Sequence, residues 1–192
     1  MHESQKRAMM DALIKLLSMM PISKISVRDI IDECGFNRST FYYYYADIYA
    51  LLEDTMKAET ARAATSKDYA SWQEGFIECA KFVCDNKDAA KRIYESDGQV
   101  YFEEYLNKIS KEMMIKFVTK EAAGMDVSED DIKLVSSFYE HALVGTVNEW
   151  LQGDMKEDIK EKIKNIGTTF DGSVKAALEK KKKPKDHWIF WW

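Results

Sequence analysis

Residues 37–49 read NRSTFYYYYADIY. They hold an amide at Asn37, a guanidinium at Arg38, hydroxyls at Ser39 and Thr40, four phenols at Tyr42, Tyr43, Tyr44 and Tyr45, and a carboxylate at Asp47. The set is rich in hydrogen-bond donors. A tyrosine ring can pack while its hydroxyl bonds a phosphate oxygen. On a helix at 100° per residue, with Asn37 at zero, Phe41 and Tyr45 fall together on an inward face. Ser39, Thr40 and Tyr43 fall on the far side, and Tyr42 and Tyr44 lie at the edges. The four tyrosines therefore have different tasks.

Catalytic chemistry finds little support elsewhere. The three histidines are His2, His141 and His187, two of them at the ends of the chain. No Gly-rich phosphate loop, His-Glu-x-x-His motif or nucleophile elbow occurs. Cys79 and Cys84 lack zinc-ligand partners. The expectation is no enzyme, no cofactor and no metal. An odd count of three cysteines (Cys34, Cys79, Cys84) suits a reducing compartment. The amphipathic, charged start is not a secretory signal, and no apolar run is long enough to span a bilayer. A cytoplasmic protein without membrane contact is expected. The net charge of −5 argues against wholesale polyanion binding, yet residues 1–45 carry six Lys/Arg against five acids, a local balance of +1.

The elements that hold the donor set are helices. In a chain of 192 residues, 8 Gly and 2 Pro leave little turn chemistry, and no long two-residue alternation argues for a sheet. Met9, Ala12, Leu13, Leu16, Leu17 and Met20 form an apolar stripe that Pro21 stops. Ser26 with Asp29 three residues on has capping-box spacing. Val27, Ile30, Ile31 and Cys34 form a buried face, and Gly35 ends that helix. Asn37 caps the next, about 37–45. Two short helices around a Gly-containing turn make a helix-turn-helix. A strand, favoured by Tyr, Phe and Thr, lacks a period-two neighbour to pair with. A purely structural hairpin leaves the outward Arg-Ser-Thr-Tyr set unexplained.

Asp47 is expected to cap a longer helix with Ile48, Leu51, Leu52, Thr55 and Met56 on one face. Further helices are expected around Trp72–Val83, Tyr101–Phe117, from the acidic start at 128–131 to Gly153, and through Ile159, Ile163, Ile166 and Phe170. The fold class is all-α: a small N-terminal helix-turn-helix domain, residues 1–47, and a larger helical domain, residues 48–192.

From Ser26 to Leu52 the chain resembles the TetR family of bacterial transcription regulators. Ser26, Ile30, Gly35, Phe36, Asn37, Thr40, Phe41, Tyr42, Tyr45, Leu51 and Leu52 fall in register with that family's pattern. One departure is clear: Ile48, preceded by Asp47, stands where the family usually has a phosphate-gripping lysine. Phe41, Tyr42, Tyr43, Asp47, Ile48 and Tyr49, with Trp150, Leu151 and Gly153, resemble one branch of the family that shares this departure.

The resemblance implies a homodimer that reads a near-palindromic double-stranded DNA operator, with the second short helix in the major groove. Arg38 is then the base reader, since a guanidinium can bond guanine O6 and N7 together. Ser39 and Thr40 reach bases or phosphates, and Tyr43 a thymine methyl or the backbone. Ser26, Arg28, Asn37, Tyr42 and Tyr44 are implied backbone contacts. An effector pocket for a small apolar or aromatic molecule is implied in the middle of the chain, with Trp72, Phe76, Phe82, Phe102, Tyr105, Met113 and Phe117 as lining and His141 as a polar handle. Two C-terminal helices near 129–151 and 155–178 are implied to form a four-helix dimer seam through Phe138, Leu143, Val147 and Trp150. Repression is the family's common mode. A transcriptional activator, or a protein-contact regulator with weak or no DNA binding of its own, is the alternative. The tail KKKKPKDHWIFWW is expected to be a basic end whose aromatic tip packs on its own or a partner subunit.

Overall fold

Helices account for all regular structure among the residues described by the computed structural model, 2–64 and 71–181. Helix α1, His2–Leu17, buries Met9, Leu13 and Leu17 along one face and ends before Pro21. A 3-10 turn at Ile22–Lys24 leads to α2, Val27–Cys34, and α3, Arg38–Tyr44. Helix α4, Ile48–Ala64, then runs from this small bundle into the rest of the protein. It packs against α1 and against α8, Gln99–Glu121. Its N-terminus is closed by Asp47, whose Oδ1 accepts from the Ala50 amide at 2.9 Å.

The larger unit adds short helices α5, Trp72–Cys79, α6, Lys81–Asp85, and α7, Lys87–Tyr94. The long α8 and α9, Glu129–Gln152, pair as an antiparallel hairpin. Ser128 caps α9 by accepting from the Asp131 amide, so three acids sit in the first turn, where the helix dipole favours them. Gly153 is the C-cap of α9, but the left-handed turn after it is carried by Asp154 and Met155, at φ 59° and 53°. The segment after it departs from the sequence expectation. One helix near 155–178 is replaced by α10, Ile159–Thr169, and α11, Ser173–Glu179. Gly172, at φ 68°, turns the chain between them in the left-handed region that costs glycine nothing. The Tyr139 hydroxyl donates to Ser173 Oγ at 2.7 Å and ties α11 to α9.

The two units are joined by polar contacts as well as by α4. Arg92 of α7 donates to the carbonyls of Leu17 (3.0 Å) and Ser18, capping the negative end of α1. At the other side of α1, Lys6 Nζ lies 2.7 Å from Asp54 Oδ2, which also accepts from the Tyr45 hydroxyl at 2.9 Å. Burial alone pushes the Asp54 carboxyl up. The hydrogen bonds from Lys6 and Tyr45 and the lysine charge outweigh it and hold the group below its ordinary value. A carboxylate lowered on folding contributes stability that is complete above its unfolded pKa, near 4, and is lost as pH falls through the lower folded value. Asp54→Asn is therefore expected to lower the melting temperature clearly at pH 7 and much less at pH 3. Melts of both proteins across that range check it, and a gap that widens toward acid contradicts it.

Candidate nucleic-acid interface

Helix α3 owes its placement to what it buries. Phe41 is fully enclosed, and Tyr45, just past the helix end, is buried with its hydroxyl on Asp54. Burial and that hydrogen bond push the Tyr45 phenol well above its ordinary value, so it stays a neutral donor. These two side chains fix the roll of α3 and turn the opposite side outward. Tyr43 is 72% exposed and Tyr42 about half exposed. The Tyr42 ring meets Phe41 edge-on at 5.5 Å, and Arg38 lies over it with Cζ 5.9 Å from its centroid. Tyr43 stands edge-on to Tyr44 at 4.8 Å. The tyrosine run is thus two inward rings that hold the helix to α1 and α4 and two outward rings that cover its exposed side.

The turn before α3 is built from local hydrogen bonds. Ser26 and Asp29 form the reciprocal capping box of α2: the Asp29 amide donates to Ser26 Oγ (3.3 Å) and the Ser26 amide to Asp29 Oδ2 (2.8 Å). The hydrogen bonds from Ser26 hold the Asp29 carboxyl below its usual range. Gly35 closes α2 at φ 73°. Asn37 Oδ1 then accepts three donors, the Thr40 amide at 2.9 Å, Thr40 Oγ1 at 3.0 Å and Ser39 Oγ at 2.7 Å. The amide bond alone suffices as a cap. Either hydroxyl can rotate toward a phosphate without unfolding the turn.

The proposed contact residues do not all share one surface. Arg38, Ser39, Tyr42 and Tyr43 lie exposed together on α3 with Asn37 at its start. Arg28 is exposed on α2 and pairs with Asp32 at 3.4 Å. Thr40 is half-buried. Tyr44 is drawn away: half-buried, it donates its hydroxyl to Gln5 Oε1 of α1 at 2.8 Å. Nothing in the sequence signals that bond, because its partners are 39 positions apart. The departure at 47–48 also has a structural reason. Ile48 is buried in the core, and Asp47 Oδ1 is occupied with the α4 cap.

In the larger unit, Trp72, Phe76, Phe82, Phe102, Tyr105 and Met113 are buried and Phe117 is half-buried. Phe82, Tyr105 and Phe102 form a chain of ring contacts at 5.7 and 6.0 Å. His141 is not among them. It is exposed on α9 and its Nδ1 lies 2.6 Å from the Ser137 carbonyl of its own helix. Of the four seam residues, Leu143, Val147 and Trp150 pack inside the subunit, with the Trp150 indole donating to the Glu157 carbonyl at 2.9 Å. Helical phase explains this, since all three fall on the buried arc of α9. Phe138 alone is outward, with Leu134 one turn before it and Ala142 and Gly145 after it. A cleft of about 410 Å³ also opens between α1, α4 and α6, and of the pocket residues only Phe82 lines it. The C-terminal Lys/Trp-rich tail beyond 181, the side chain of Cys79 and that of His2 lie outside the described residues.

Residues 9–55 match the family model described as bacterial regulatory proteins, tetR family, and residues 70–172 match a model described as transcriptional regulator C-terminal region. The chain belongs to the TetR family. It is a helix-turn-helix transcriptional regulator. No curated protein sequence matches it significantly. Solved structures share the fold over almost the whole chain. The dihydroxyacetone kinase operon activator DhaS superposes with a TM-score of 0.75 at 17% identity, covering 93% of this chain and 98% of that one. A TetR transcriptional regulator from Streptococcus agalactiae 2603V gives 0.54 at 20%, covering 95% and 96%. The fatty acid degradation regulator FadR from Bacillus halodurans gives 0.60 at 14%, covering 91% and 94%. Among the described residues of this TetR-family chain, no helix is long and apolar enough to cross a membrane and no group of His, Cys, Asp and Glu is arranged to hold a metal ion.

Proposed function

We propose that the protein is a cytoplasmic homodimer that binds a near-palindromic operator through α3 and represses transcription until a small apolar or aromatic effector releases it. The outward face of α3 carries this reading. Arg38, Ser39, Tyr42 and Tyr43 project from a helix held from behind by Phe41 and Tyr45. Such a face offers bidentate base contact at its N-terminal end and hydroxyl contact to phosphates beyond it. Asn37 and Arg28 flank it, and the Ser26 capping box holds the end of α2 beside the groove. The N-terminal 47 residues form the reading unit, and the rest forms the effector-binding and dimerising unit.

Dimerisation is proposed through the outward stripe of α9, Leu134, Phe138, Ala142 and Gly145, joined by exposed Phe170 after α10. The small residues let a second helix approach closely, and the large ones interlock across a two-fold axis. The effector is proposed to sit among Trp72, Phe76, Phe82, Phe102, Tyr105, Met113 and Phe117 of α5, α6 and α8. It would act by changing the spacing of the two α3 helices and so the affinity for DNA. Repression is proposed because a dimer seated on an operator blocks polymerase. DhaS is by its description an activator, so a reporter must read either sign.

Selection of bound duplexes from a random pool tests the core of this. Recovery of an inverted repeat with half-site centres separated by a whole number of helical turns is the expected result. Recovery of unrelated sequences contradicts it and favours a regulator that works through protein contacts.

A further inference from the structure

Helices α1, α4 and α6 do not close completely on one another. The cleft of about 410 Å³ between them lies in the size range of small-molecule sites, which favour the joints between structural units. Its walls come from both units: α1 belongs to the reading unit, α6 to the larger unit, and α4 links the two. Met10 and Ile14 of α1 and Phe82 of α6 supply its apolar surface.

The polar lining is organised around one buried carboxylate. Glu59 of α4 is 7% exposed, and a charge so placed persists only when it is paired. Arg7 of α1 reaches it with Nη1 at 3.3 Å, and Arg62 of α4 with Nε at 2.7 Å. Two guanidiniums on one carboxylate leave an excess of one positive charge. The remaining charged lining balances, Lys15 and Lys81 against Asp11 and Asp85, all at exposed positions. Water and salt screen those charges more than they screen the cluster round Glu59. A guanidinium carries five N–H donors in a planar fork. Arg7 uses Nε on Asp11 at 3.0 Å and one terminal nitrogen on Glu59. The Arg7 and Arg62 side chains stay 53% and 43% exposed, so a molecule in the cleft can still reach them. A planar anion laid against this pair gains forked hydrogen bonds and opposite charge together. An organic cation there meets net repulsion.

We infer that this cleft is a second ligand site and that it takes a small organic carboxylate. Arg7 and Arg62 hold the carboxylate, and Met10, Ile14 and Phe82 meet the apolar body. The site shares only Phe82 with the effector position proposed among the rings of α5, α6 and α8. A ligand in the cleft touches the reading unit directly. It bridges α1 to α4 and α6, and Lys15 at its edge pairs with Glu33 of α2. It therefore favours one placement of α1 and α2 over others and changes operator affinity. That coupling rests on the DNA-reading role of α3, whereas the binding does not.

Phenylpropionate, phenylpropanol and phenylpropylamine share one body and differ in head-group charge, and titration calorimetry of the full-length protein with each is the test. Wild type is expected to bind the acid about tenfold more tightly than the alcohol or the amine. Arg62→Gln is expected to erase that preference while leaving alcohol affinity unchanged. Asp11→Asn, at an exposed position, is expected to tighten acid binding about threefold by releasing Arg7 Nε. A purely structural role for the cluster produces no such gain, and this variant decides the matter alone if Arg62→Gln does not fold. Equal binding of the three probes by wild type, binding of none, or unaltered acid binding in either folded variant overturns the inference. Operator titration with and without saturating phenylpropionate reads the coupling. The dissociation constant is expected to change about fivefold or more for wild type and not for Arg62→Gln. An unchanged constant in wild type overturns the coupling and leaves the site standing. Wild type that binds the acid as expected but no operator overturns the proposed function and leaves the site standing.

Discussion

Phe138→Glu is expected to turn the dimer into monomers and to remove high-affinity operator binding while leaving each subunit folded. Phe138 is 71% exposed, and its ring touches the neighbouring Tyr139 edge-on at 5.5 Å without entering the core. A carboxylate in its place disturbs nothing inside the subunit. Across a two-fold seam each substitution is felt twice. Loss of an aromatic at the centre of an interface costs about 2 kcal/mol or more per copy. Burial of two unpaired charges adds to that. A monomer reads one half-site, so selective binding falls to that of a single small module. Sedimentation equilibrium gives the mass, and circular dichroism verifies the fold. A variant that sediments as a dimer places the seam elsewhere. Leu143→Ala is the contrasting control: it should lower stability without separating subunits, because Leu143 is buried within the subunit.

Phe41→Ala should be the most damaging core change in the reading unit, lowering stability by about 3–5 kcal/mol. The ring is fully enclosed, and Tyr42 and Tyr45 pack on it at 5.5 and 5.9 Å. Its loss leaves a cavity where α3 meets α1 and α4, so α3 loses its fixed roll and selective DNA binding goes with it. Tyr43→Ala separates the two effects. It should leave the melting temperature nearly unchanged and weaken DNA binding alone. Denaturant unfolding beside DNA titration distinguishes them. A Phe41→Ala protein of wild-type stability contradicts the packing account.

Local signals in the chain foretell the reading unit well. The capping box at Ser26 and Asp29, the Gly35 stop and the Asn37 and Asp47 caps each depend on residues within three or four positions, and all appear as hydrogen bonds or helix ends. Helical phase also separates inward Phe41 and Tyr45 from outward Tyr43. Long-range partners are another matter. Arg92 on the end of α1 and Lys6 on Asp54 join positions 75 and 48 apart, and nothing in composition marks them. The sides of α9 are hard to tell apart in the sequence for a related reason: an apolar residue on a helix with two apolar sides can face the core or the surface. Only their burial in the folded chain separates Val147 and Trp150 from Phe138. The break at Gly172 left no periodicity signal, since α10 and α11 each carry their own apolar positions.

The central claim is that α3 reads DNA through Arg38. Fluorescence anisotropy of wild type and Arg38→Ala on the selected operator and on a scrambled duplex, at two salt concentrations, tests it directly. Wild type should prefer the operator, and the variant should lose about 1–3 kcal/mol of that preference per half-site while keeping its fold and its salt-dependent binding to any duplex. An Arg38→Ala protein that discriminates operator from scrambled DNA as well as wild type does would contradict the account.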